Sequence, residues 1–93
     1  MKTERFASVW DALEDNPVQA ENMKLRSTLM MEVRRHIEQK SLTQTQAANL
    51  FGVTQPRTSD LMRGKIDLFA IDTLVNMLTA AGLRVEIRVD FAA

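Results

Sequence analysis

Few side chains in this sequence are equipped for covalent chemistry. Cysteine is absent, which excludes thiolate nucleophiles, disulfide staples and thiolate metal sites and suits a reducing compartment. His36 is the single histidine, with Glu32 and Glu38 nearby, and a metal centre needs more ligands of suitable type and spacing, so a surface histidine is expected. Serine, aspartate and glutamate occur without a nucleophile, base and orienter arrangement, a phosphate-cradling glycine loop or a metalloprotease motif. Neither catalysis nor a cofactor is expected. Hydrogen-bonding and cationic groups gather instead in the middle of the chain. The formal net charge is zero, yet Glu4 to Glu21 carries five acids against one base, whereas Arg34 to Lys65 carries six bases against two acids. The middle is therefore the part suited to face a polyanion.

The elements that must position those groups can be read from the hydropathy pattern. A chain of 93 residues that is 45% hydrophobic and 26% charged fits one folded domain. Its apolar runs are short and no secretory leader opens it, so no membrane span and a cytoplasmic address are expected. Phe6, Val9, Trp10 and Leu13 recur at helical spacing after Ser8, predicting a short helix over residues 8 to 14. Phe6 and Trp10 either pack on the domain body, the favoured reading, or face a partner. Asn16-Pro17 starts a long helix whose apolar face holds Met23, Met30, Val33 and Ile37, with Leu25 and Leu29 alongside, and which ends near Lys40-Ser41. The methionines, Met30 and Met31 included, are read as gap-filling core.

Thr43 and Gln46 have capping-box spacing, so a new helix begins at Gln44 and stops at Gly52. Thr54 caps a further helix to about Arg63, closed by Gly64. Ile71, Leu74, Val75 and Leu78 describe another amphipathic helix that ends at Ala81-Gly82. Its start lacks a capping side chain, because Ala70 has none to offer, although Asp72 suits the helix dipole. The period then changes to two: Leu83, Val85, Ile87, Val89 and Phe91 alternate with Arg84, Glu86, Arg88 and Asp90, which reads as a β-strand.

Two short helices separated by Gly52-Val53-Thr54 match the tight helix-turn-helix unit that enters the DNA major groove. Ala47 and Ala48 are small where the helices must cross, and Phe51, Val53 and Leu61 are apolar where the unit packs on its support. Residues 42 to 82, from Leu-Thr-Gln-Thr-Gln-Ala-Ala through Gly-Val-Thr-Gln-Pro-Arg-Thr-Ser-Asp-Leu-Met-Arg-Gly-Lys to Ala-Ala-Gly, resemble the Xre/Cro/lambda-repressor family. Within it they are most similar to small HigA-like antitoxins and phage-type regulators. The resemblance implies an all-α, five-helix lambda-repressor-like domain that binds double-stranded DNA, here with one C-terminal β-strand added. Two positions depart from the family pattern. Thr58 stands where a branched aliphatic residue usually points inward, and Pro56 removes a backbone donor from the first turn of the recognition helix, where that donor has no intrahelical partner.

On this resemblance Gln55, at the start of the recognition helix, presents its amide to adenine, and Arg57, Ser59 and Asp60 share its outward surface. Arginine pairs with guanine or a phosphate there. Asp60 either accepts from cytosine N4 or, the favoured reading, tethers Arg57 or Arg63. Thr43, Gln44 and Thr54 lie at helix starts that can hold a phosphate, Gln44 at the place of the family glutamine that also braces the reading glutamine. Arg63 and Lys65 flank Gly64 and clamp the backbone, which orients without specifying sequence. A helical hairpin that binds protein would share the bare pattern, but the glycine turn, the two glutamines and the flanking bases together favour DNA.

A lone strand leaves its backbone groups unpaired, so residues 83 to 91 call for a partner, and a second copy is the simplest supply. Antiparallel pairing about Ile87 sets Arg84 opposite Asp90 and Glu86 opposite Arg88, with Leu83, Val85, Ile87, Val89 and Phe91 on the face expected to lie on the helices. Centring on Glu86 sets like charges together. The alternative occupant is a different protein such as a toxin. The expected organisation is an N-terminal extension (1–15), a helix-turn-helix domain (16–82) and a dimerisation strand (83–93). The expected function is a repressor, autoregulatory in the fullest form, that binds a palindromic operator as a homodimer. The alternative is an antitoxin that covers a RelE/HigB-like toxin.

Overall fold

Pro17 opens the first helix, α1 (Pro17–Gln39), in the computed structural model, which describes residues 17–91. Proline suits this place because its fixed φ is helical and its missing N–H would have no partner in the first turn. The helix closes where Ser41 takes φ 51° and the Leu42 N–H reaches the Ile37 carbonyl at 3.0 Å. Two eight-residue helices follow, α2 (Gln44–Phe51) and α3 (Gln55–Met62). The capping box is complete: Gln46 N–H donates to Thr43 Oγ1 at 3.1 Å, and Thr43 N–H donates to Gln46 Oε1 at 2.9 Å. Gly52 takes φ 72° and ψ 31° after α2, a left-handed conformation that a side chain would strain. A 3-10 turn, Ile66–Leu68, leads to α4 (Ile71–Ala80), whose N-cap Ala70 makes no side-chain bond.

These helices share one core. Val33 of α1, Phe51 of α2, Leu61 of α3, Leu74 of α4 and Phe69 from the connection are its fully buried side chains. Met30, Ile37, Ala47, Met77 and Leu78 complete the cluster. Ala47 and Ala48 are buried where α2 meets α3 and α4, as their small size anticipates. Thr58 fills its inward position with a hydroxyl that donates back to the Thr54 carbonyl at 3.2 Å, so a buried polar group is satisfied within its own helix.

Several expectations need correction. Among the described residues there are four α-helices and no strand; the expected helix at 8 to 14 and the extension 1–15 lie outside them. Residues 83–91 form no regular element, because strand hydrogen bonds need a second strand and the described residues supply none. Their apolar row does not lie on the helices: Val85 packs against the core, but Ile87, Val89 and Phe91 are 71%, 88% and 101% exposed. Met31 is exposed, since only Met30 of that pair falls on the buried side of α1, and Leu25 is exposed for the same reason. His36 is half-buried rather than superficial, its ring edge-on to Phe51 at 5.9 Å and its Nε2 buried without a partner. No helix among the described residues is long and apolar enough to cross a membrane.

Two substitutions probe this core. Phe51→Ala should lower unfolding free energy by about 3–5 kcal/mol in urea titration. Thr58→Val should change it by less than about 1 kcal/mol, because the Thr54 carbonyl keeps its bond from the Thr58 N–H.

Candidate nucleic-acid interface

The first turn of α3 is held by Thr54, whose Oγ1 accepts from the Arg57 N–H at 3.3 Å. The helix buries Thr58 and Leu61, residues i and i+3, and so turns its other side outward. Gln55, Pro56 and Arg63 are exposed there, with Ser59 and Asp60 half-buried beside them. Thr43 and Gln44, at the start of α2, are exposed, as are Thr54 and Lys65. All the residues expected to meet DNA thus retain solvent access, and α2 packs directly against α3.

Charge pairing differs from expectation in one respect. Asp60 pairs with Lys65, Oδ1 to Nζ 3.5 Å, rather than with Arg57 or Arg63. The reason is local geometry: the Lys65 N–H bonds to the Asp60 carbonyl at 3.1 Å, which folds the turn after α3 back onto its last residues. Arg57 goes elsewhere, its guanidinium carbon lying 4.8 Å from the centroid of the buried Phe69 ring. The sequence reading missed Phe69. Its signal is an aromatic residue two positions before the amphipathic helix that begins at Ile71.

Along α1 three bases are matched, with Lys24 beside Glu21, Arg34 beside Glu38 and Arg35 beside Glu32, while the Arg26 Nε is buried without a partner. Among the described residues Arg26, Lys40, Arg57 and Arg63 are in no ion pair. Three of these four, Lys40, Arg57 and Arg63, lie on or beside the two short helices of a chain of zero net charge. No group of three or more acidic or histidine side chains among the described residues is arranged to hold a metal ion.

The family model described as "Helix-turn-helix domain" matches residues 12–90. The chain belongs to this helix-turn-helix family. A solved structure titled "Putative XRE Family Transcriptional Regulator" is similar to it, with a TM-score of 0.73, 28% identity, and coverage of 80% of this chain and 83% of that one. The helix-turn-helix protein is thus of Xre type, in agreement with the resemblance carried by residues 42 to 82. No curated protein matches the chain in sequence.

The Asp60–Lys65 pair generates a prediction. Asp60→Asn removes the carboxylate that competes for Lys65 and should strengthen binding to random duplex several-fold at every salt concentration, with the slope of log affinity against log salt little changed. Fluorescence anisotropy across a salt series measures it.

Proposed function

We propose that this helix-turn-helix protein is a sequence-specific transcriptional repressor that occupies a palindromic operator as a homodimer. The observation that carries the reading is the exposed start of α3, with Gln55 as its first residue, set among cations that lack carboxylate partners. Gln55 reads adenine through its amide, with Ser59 and Asp60 on the same side of the helix. Thr43, Gln44 and Thr54 meet phosphate at the helix starts, and Arg63 and Lys65 clamp the strand beyond. Lys65 leaves Asp60 for the duplex as phosphate approaches. Residues 16–82 form the DNA-binding unit, the action is steric and non-catalytic, and the cytoplasm is its place of work.

Residues 83–93 supply the dimer contact. Within one chain Arg84 Nε lies 3.4 Å from Glu86 and Arg88 Nε 2.8 Å from Asp90, all four side chains well exposed. Antiparallel pairing of two copies about Ile87 extends these into a ladder, Arg84 against Asp90 and Glu86 against Arg88, and brings together apolar rows that one chain leaves in water. The resulting two-fold suits half-sites about 34 Å apart. The exposed Ile87, Val89 and Phe91 also favour a second reading, in which the segment covers a toxin protein and DNA binding serves autoregulation. A chain that stays monomeric in sedimentation equilibrium would move the assignment to it.

Binding to the DNA upstream of the chain's own gene tests the main reading. Gln55→Ala should reduce discrimination between operator and mismatched sites by about 1–3 kcal/mol, whereas Lys65→Ala should weaken all sequences alike. Equal losses on operator and random DNA for both variants contradict these roles. For the dimer, Arg84→Glu and Asp90→Arg should each weaken association, and the double variant should restore it.

A further inference from the structure

We propose that Phe69 is a positioning residue for base readout, its ring holding the Arg57 guanidinium at the flank of α3 for one base pair of each half-site. The inference rests on the DNA-reading assignment above and adds a residue that does not itself touch DNA. The guanidinium carbon of Arg57 stands 4.8 Å from the ring centroid, inside the roughly 6 Å range of cation–π attraction. The ring itself has little freedom: Phe69 is fully buried in the core cluster, and its N–H bonds to the Ile66 carbonyl at 3.1 Å. The other end of Arg57 is fixed too, since its N–H caps onto Thr54 Oγ1 at 3.3 Å. A long side chain is thus anchored at its backbone and near its tip.

This anchorage differs in kind from an ion pair. Lys65 has its charge offset by Asp60 at 3.5 Å, but a ring face carries no net charge and accepts no strong hydrogen bond. Among the described residues Arg57 faces no carboxylate and its guanidinium donates to no acceptor, so its charge and its fork of N–H donors stay available. A guanidinium already confined loses less freedom on pairing bidentately with guanine O6 and N7 than one that sweeps through solvent. Arg57 lies two residues beyond Gln55 and so roughly 200° around α3 from it, half-buried at the edge of the exposed surface, where the ring contact fixes its direction.

The test is selection from a randomised duplex library with the full chain, comparing wild type, Arg57→Lys, Phe69→Leu and the double variant, each checked for folding by thermal melting. Arg57→Lys keeps charge without the planar fork, and Phe69→Leu keeps an apolar core residue without the ring. The expected result is that each single variant loses base preference at the same pair by on the order of ten-fold, that the double variant loses no more, and that preference governed by Gln55 survives. Should Phe69→Leu fail to fold, Phe69→Met replaces it, and Arg57→Lys substitutes no core residue. A uniform weakening on all sequences with an unchanged preference profile overturns the inference and leaves Phe69 as core alone. A wild-type chain that enriches no sequence at all overturns the DNA-reading assignment along with it.

Discussion

Everything at the interface depends on the close crossing of α2 and α3. Helices of eight residues are too short to persist alone in water, so their geometry comes from what they pack against. Ala47 and Ala48 let the two backbones approach, Phe51 and Leu61 fill the space beneath, and Gly52 turns the chain in a conformation that residues with a Cβ avoid. The pair is then held as a unit against α1 and α4. Gln55 is exposed because it opens α3, a turn ahead of the buried Thr58 and past the Gly52 turn, where no neighbouring element covers it.

Electrostatics adds a second constraint on the same surface. Zero net charge denies the molecule a long-range pull on polyanions, so attraction must be local. The ion pairs along α1 confine three of its bases to neighbouring acids, Arg26 excepted, and Lys40, Arg57 and Arg63 stand unmatched near the short helices. Thr58 shows a related economy, because a hydroxyl in an apolar site is satisfied by the carbonyl four residues back.

The features legible in the sequence were those set by near neighbours. The Thr43 and Gln46 capping box, the Thr54 cap and the Gly52 stop each depend on residues within one turn, and each forms as the spacing implies. The partners of Asp60 and Arg57 were not legible, because both depend on how the chain folds back after Gly64 and carries Lys65 and Phe69 toward α3. Residues 83 to 91 show another limit: their two-residue period is plain, but a strand is a property of a pair, and one chain contains only one candidate. Met31 and Leu25 were misplaced because an apolar face read by type alone does not say where it ends.

Pro56 divides labour between the two helix starts. In α2 the amides of Gln44 and Thr45 precede the first intrahelical bond, that of Gln46 being committed to Thr43. In α3 the ring of Pro56 removes one amide and Thr54 engages that of Arg57, which leaves only Gln55 N–H unspent. An incoming anion therefore finds a richer cradle at α2, while the tip of α3 is stripped of competing main-chain donors and left to its side chains.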